Sequence, residues 1–368
     1  MRFIQINPGR LLTVLCLAAL GSVAFMSVAC CKNKTAERPS VLNRKVAQDN
    51  FNYTGSDYKG NYIWGGAMNL AWNELTDNIV KEPIRLRTDN KQTLAMLEML
   101  NNPVISTADL DEASYYVKSG FGPATQDRIN KECRAKFPSK TFDDLDYDLG
   151  DYDIISYAYF LKEIEYAIAF EKRDVDFDGQ MVKGFGANEN SYKNIYILEY
   201  KDKDNFLVSI KLKDSKDQIF LGKGYPMERP DAIVAKLRAL APAQNNAEYT
   251  LGTLMGDSDV FMAPALSLSY ERDYEEMLQK VLENRIGGRE YFIDVMKEKI
   301  KFDMDEKGAR VENEAVIVAR LTSVGPGQDK RKIMMLDKPY WVLMKRFDSA
   351  NPYFILGVNN REFMQKAE

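Results

Sequence analysis

At 368 residues, 45% hydrophobic and 11% aromatic, with 50 basic against 54 acidic side chains, the chain has an ordinary globular composition and ample apolar material for a core. A net charge of -4 without any basic stripe argues against a nucleic-acid partner. Histidine is missing from the sequence, which removes Ser-His-Asp and Cys-His mechanisms and every His-bearing zinc site, and leaves proton transfer to carboxylates, Lys or Tyr.

Arg2 and Arg10 precede an apolar run over 11–29 that ends at Cys30, Cys31 and Lys32, the pattern of an export signal. Small residues before the cysteines predict a lipoprotein signal over 1–31, with the lipid on Cys30 (or Cys31). An uncleaved membrane anchor or simple secretion are the alternatives. Two acyl chains would make the anchoring stable. The expected location is the bacterial cell envelope, tethered to the membrane, or the extracellular medium. Residues 32–60 are polar and read as a tether, and 61–368 read as a single folded domain.

Within that domain Met68, Leu70, Ala71, Leu75 and Ile79 predict a helix over 67–80, and Leu94, Met96, Leu97 and Leu100 a second over 93–100. Ile129 and Cys133, four apart, mark a third over 126–137. Removal of the signal takes Cys16 with it, so Cys133 is expected to be a small buried residue without a disulfide partner. The near-continuous apolar stretch 154–161 predicts a central strand, and 194–200 with 206–212 a hairpin around 201–204. A helix over 233–240, a strand over 265–270 and a helix over 274–282 follow. Helices early and strands late point to a mixed α+β domain.

The motifs that could carry catalysis or metal binding fail on context. Asp174, Asp176, Asp178 and Gly179 open like a calcium loop, but the twelfth position is Phe185 instead of a bidentate Glu, so the segment reads as a solvated acidic turn. Ser56 and Lys59 resemble the nucleophile pair of acyl-serine enzymes, yet Gly55 and Gly60 flank them and no apolar helix follows. The adjacent acids Asp143 and Asp144, and Glu275 and Glu276, diverge instead of sharing a proton. The expectation is a protein that is not an enzyme, with no cofactor and no metal.

The last seventy or so residues are the most informative. Ala309, Val311, Asn313, Ala315, Ile317 and Ala319 alternate with Arg310, Glu312, Glu314, Val316, Val318 and Arg320, the period of a strand with one buried face. This runs straight into Ser323, Val324, Gly325, Pro326 and Gly327, a breaker-rich stretch that reads as exposed loop to 332. Apolar strand patterns over 338–344 and 353–358 close the chain.

These residues resemble the serpin family. Residues 336–343 (Leu-Asp-Lys-Pro-Tyr-Trp-Val-Leu) are similar to its signature, and 354–359 to its closing strand. Residues 304–308 (Met-Asp-Glu-Lys-Gly) resemble the hinge that launches its reactive loop, and 263–278 its Pro-led strand and following helix. The resemblance implies a fold of three β-sheets surrounded by about eight helices, with an exposed reactive loop at about 309–332. It also implies a monomer that inhibits serine or cysteine proteases by cleavage and insertion of that loop. Glu306, Gly308, Ala309, Val311 and Asn313 would form the hinge. By family loop length the scissile bond falls near Thr322 and Ser323, with Arg320 and Leu321 close by and Arg320 suited to a trypsin-like pocket. The sequence departs from the pattern at 310–314, where Arg, Val, Glu, Asn and Glu replace a run of small residues. It departs again at Ser156 and Glu298, where the family usually has Asn and often His. The alternative function is a non-inhibitory serpin-like binding or scaffold lipoprotein at the cell surface.

Overall fold

The computed structural model describes residues 2–6, 60–139, 143–214, 216–228, 230–240, 252–309 and 331–367. The stretch expected to be one helix over 67–80 is α1 (Ala67–Leu75), which buries Met68, Leu70, Ala71, Trp72 and Leu75, continued by a π turn over Thr76–Val80. In α2 (Lys91–Asn101) the Asn90 side chain caps the first turn by accepting from the N–H groups of Gln92 and Thr93. In α3 (Gly122–Lys136) a proline stands in the first turn, where its missing N–H costs nothing, and Ile129 and Cys133 are buried. The last α-helix among the described residues is α4 (Asp231–Leu240). Other helical segments there are short 3-10 turns, so a helix count near eight is reached only by including single turns.

The helix expected over 274–282 does not form. A single 3-10 turn at Glu275–Met277 buries Tyr274 and Met277, and Gln279 then takes a positive φ of 58°. Gln279 donates to the Ile293 carbonyl and Ile293 donates to that of Lys280, so cross-strand pairing wins over the local helical spacing.

The first strands are β1 (Arg2–Ile6), β2 (Tyr62–Gly65), β3 (Leu86–Arg87), β4 (Tyr115–Phe121), β5 (Ile154–Phe160) and β6 (Ile164–Glu165). Next, β7 (Glu171–Phe177) and β8 (Gln180–Gly186) form a hairpin that turns through Asp178 and Gly179, both at positive φ. The acidic run at 174–178 is thus a hairpin end, the geometry an Asp-Gly pair favours. The expected hairpin around 201–204 is β9 (Ile195–Asp202) and β10 (Asn205–Ile210), followed by β11 (Asp217–Lys223), β12 (Thr253–Leu254) and β13 (Val260–Pro264). Then come β14 (Leu266–Asp273), β15 (Val281–Leu282), β16 (Glu290–Val295), β17 (Lys297–Met304) and β18 (Gly308–Ala309). The chain closes with β19 (Ile333–Met335), β20 (Tyr340–Arg346) and β21 (Pro352–Val358).

Among the described residues these strands make one sheet of seven, one of six, one of four and two pairs, an α+β architecture. The seven-stranded sheet has the order β12-β9-β10-β11-β20-β21-β2, and the six-stranded one β3-β15-β16-β1-β5-β4. The largest core lies on the seven-stranded sheet and includes Phe206, Leu207, Phe220, Leu221, Trp341 and Ile355. A smaller core under the six-stranded sheet joins Trp72, Leu100, Tyr274, Tyr291 and Ile293.

Candidate functional site

The hinge residues expected at 306–309 sit on a tight reversal at the end of β17. Asp305 N–H donates to the Gly308 carbonyl at 2.9 Å, and the Asp305 carboxylate accepts from Lys307 N–H at 2.8 Å and Gly308 N–H at 3.3 Å. The chain then runs back as β18, antiparallel to β6, with Gly308 opposite Glu165 and Ala309 opposite Ile164. A Cβ on Gly308 would lie 2.1 Å from the Ile164 carbonyl oxygen, so only glycine allows this approach. Ala309 is buried in the main core, which is the inward orientation that the alternation over 309–319 requires of its first member.

Backbone bonds from Tyr166 N–H to the Lys307 carbonyl and from Phe170 N–H to that of Glu306 hold the reversal. Glu306 pairs with Lys172 at 3.4 Å. A cavity of about 1,100 Å³ opens beside it, lined by Tyr166, Lys172, Lys183, Lys213, Asp303 and Glu306. The Tyr166 hydroxyl is buried there without a hydrogen-bond partner among the described residues, and burial drives its pKa well above the usual phenol value.

Below the reversal lies a strand position bounded by β5 on one side and β16–β17 on the other. At its lower end β1 fills it, pairing antiparallel with β16 over five residues and with β5 over two, Arg2 opposite Ile155 and Phe3 opposite Ile154. Higher up, β5 pairs only with β4 and β17 only with β14 among the described residues. The start of α1 lies under both banks. Ser156 of β5 donates its hydroxyl to the Ala71 carbonyl at 2.6 Å, and Met68 N–H donates to Glu298 of β17 at 3.3 Å.

Glu298 is the unusual group in this arrangement. It is buried, and it accepts from the Tyr274 hydroxyl at 2.9 Å as well as from Met68. Burial raises its pKa to about 7, outweighing those two hydrogen bonds and the nearby positive charge of Arg272. Arg272 stacks over the Tyr274 ring, 4.3 Å from its centroid, and pairs with Glu276.

Val311, Asn313, Arg320, Leu321, Thr322, Ser323, Cys30 and Cys31 lie outside the described residues. The chain that follows residue 330 is anchored in the body. Lys332 N–H donates to Asp259 at 2.7 Å, and β19 runs parallel to β13, Ile333 opposite Val260. Cys133 is buried and its thiol is pushed up by that burial, as befits a packing residue and not a nucleophile. Among the described residues no group of three or more Cys, Asp or Glu side chains could hold a metal ion.

Reasoning on sequence alone missed Ile164 and Glu165, which pair with Ala309 and Gly308, and the pairing of Glu298 with Tyr274 and Met68. The signal for Glu298 was present: it sits in phase with Ile300, Phe302 and Met304, opposite the lysines at 297, 299 and 301.

No family model matches the sequence, and no curated protein matches it. Solved structures similar to the chain include Serpin48 of the insect Tenebrio molitor, 13% identical over 82% of this chain and 92% of that one, with a TM-score of 0.47. Another is the thermophilic serpin tengpin in its native state, 14% identical over 83% of this chain and 90% of that one, with a TM-score of 0.49. Human thyroxine-binding globulin, in a complex with its hormone, is 12% identical over 74% of this chain and 83% of that one, with a TM-score of 0.40. At identities and scores this low the likeness assigns no function.

Proposed function

We propose that the chain is a serpin-like inhibitor of serine or cysteine proteases that presents residues 309–332 as bait and, once cut, draws the first part of that segment into its six-stranded sheet. It acts stoichiometrically and not as an enzyme. The observation that carries this reading is the reversal at 305–308, which turns the chain back antiparallel to β6 with Ala309 already buried. Continued in the same register, the segment would bring Val318 opposite Ile155, so the twelve-residue alternation over 309–320 matches the length of the strand position.

The energetics favour such an insertion. Burying Val311 and Ile317 gains roughly 1.5–3 kcal/mol each, while an unpaired Asn313 would cost about 1–3 kcal/mol. Ladder hydrogen bonds along both banks add to the balance. Cleavage supplies the free end that a tethered segment lacks. The leader pattern over 1–31 and the polar stretch over 32–60 support an exported protein held at a membrane by a lipid on Cys30 or Cys31.

A panel of serine and cysteine proteases incubated with the protein and run on denaturing gels tests the proposal. A stoichiometric complex that survives denaturation is expected. Cleavage within 310–330 with no such complex for any protease would overturn it. A second reading, a non-inhibitory serpin-like binding or scaffold protein, is favoured by β1, which fills the end of the position the bait would need. The same gels separate the two.

A further inference from the structure

The cavity beside the reversal is walled by separate parts of the chain. One wall is the turn itself, 303–308; another is 164–166 with Ala169; β7, β8 and Phe363 supply the rest. At about 1,100 Å³ it is large enough for a small organic molecule, whose pockets run from roughly 300 to 1,000 Å³. Its lining mixes apolar residues, among them Leu266, Met304 and Phe363, with charged ones. Those charges are already matched. Glu165 pairs with Lys213, Glu306 with Lys172 at 3.4 Å, and Arg173 with Glu171 at 2.7 Å. Asp174 stands directly opposite Lys183 in the β7–β8 register. Asp303 accepts from the Ser267 hydroxyl at 2.6 Å, and the Asp305 carboxylate accepts from two backbone N–H groups of the turn. An ionic ligand would have to break one of these pairs or leave its own charge uncompensated, and taking an unpaired charge out of water is costly. Apolar ligand surface meets no such obstacle and gains by leaving water.

We propose that this cavity binds a small uncharged amphipathic molecule with an apolar or aromatic body, and that the bound molecule braces the reversal. The bracing follows from what the walls are. The Lys307 carbonyl accepts from Tyr166 N–H at 2.9 Å and the Glu306 carbonyl from Phe170 N–H at 2.8 Å, so the two sides of the cavity are also the two sides of the contact that holds the turn. Opening the turn separates 306–308 from 164–170 and takes the cavity apart. Binding and opening therefore exclude each other, and a ligand shifts the balance towards the closed turn. The site needs no protease and does not rest on the inhibitor reading.

Two dyes titrated into the full chain test the proposal. N-phenyl-1-naphthylamine is uncharged and fluoresces in apolar surroundings; 8-anilinonaphthalene-1-sulfonate shares its ring system and adds one negative charge. The neutral dye is expected to saturate at one molecule per chain, and the sulfonate to bind more weakly by roughly tenfold or more. Ala169→Trp sets an indole at an exposed position of the cavity wall and is expected to abolish the saturable signal, with hydrogen exchange across β10–β11 unchanged as a control for folding. Exchange at the Tyr166 and Phe170 amides is expected to slow by about twofold at half-saturating neutral dye, and further as the site fills. No saturable binding, equal affinity for the two dyes, unchanged binding to the Ala169→Trp variant, or exchange at the two amides that ignores the dye would each overturn the proposal. Protease gels enter none of these readouts, so the inhibitor reading and this site stand or fall separately.

Discussion

The seven-stranded and six-stranded sheets are built for opposite purposes. In the first, β11, β20 and β21 lie side by side and antiparallel, β11 and β20 without interruption and β20 and β21 with one shift between Met344 and Lys345, and almost every residue is buried. Trp341 is fully enclosed, its indole N–H donating to the Pro226 carbonyl at 3.1 Å and its ring set edge-on to Tyr62 at 5.5 Å. In the second, β5 is buried at Ile154, Ile155 and Ser156 but only partly covered from Tyr157 onwards, and beyond Ile155 one of its edges has no strand partner among the described residues. A finished sheet fixes the fold. The unfinished one keeps part of an edge of β5 open among the described residues.

That contrast can be broken most forcefully from the finished side. Trp341→Ala is expected to cost about 3–5 kcal/mol, read as a lowered urea midpoint with an unchanged slope. A loss under 1 kcal/mol would mean the seven-stranded sheet is not the anchor it looks to be.

Next in size is the pH response of Glu298. Its folded pKa of about 7 lies above the unfolded value of 4.5, so the folded state holds this proton more tightly. Its favourable contribution is complete below about pH 4.5 and is lost as pH rises through 7, a swing of about 3 kcal/mol. Glu298→Gln should therefore flatten the stability difference measured between pH 5 and pH 8. An equally steep profile in the variant would move the titration to another group.

Gly308→Ala sharpens the comparison at the hinge. Overpacking against the Ile164 carbonyl should cost about 1–3 kcal/mol, and it should speed hydrogen exchange at Tyr166 and Phe170, whose amides hold the reversal. Unaltered exchange at those two amides would show that the approach is looser than the geometry implies. Smallest is Ser156→Ala, which removes the hydroxyl bond to the Ala71 carbonyl and should cost about 1 kcal/mol by thermal unfolding. A neutral result would show that α1 is held to β5 by packing alone.

Much of the finished sheet was legible in the sequence because its strands are bounded by local signals. The hairpin around 201–204 and the apolar runs at 338–344 and 353–358 appear as β9–β10, β20 and β21. Gly308 stood out in the sequence at the end of a strand pattern, and the structure places it in the close approach to Ile164. The six-stranded sheet was harder, since its order depends on pairings between remote segments. Glu275, Glu276 and Met277 have helical spacing, but the Gln279–Ile293 pairing ends the turn after three residues. Arg2 to Ile6 carry the charge and apolarity of a leader, and nothing local in them announces a place between β5 and β16. Glu298 was legible as an inward residue, whereas its hydroxyl donor lies 24 residues away and its amide donor 230.

The two anchors of the 310–330 segment lie in different sheets, Ala309 against β6 and Ile333 against β13. Everything after Arg331 is also woven into the body, with β20 between β11 and β21, and β21 between β20 and β2. A nick in that segment would therefore convert one polypeptide into a tightly associated two-chain complex. It should elute as a single species on gel filtration and split only in denaturant. The contacts described on either side of 310–330 would hold the two parts together without a peptide link between them.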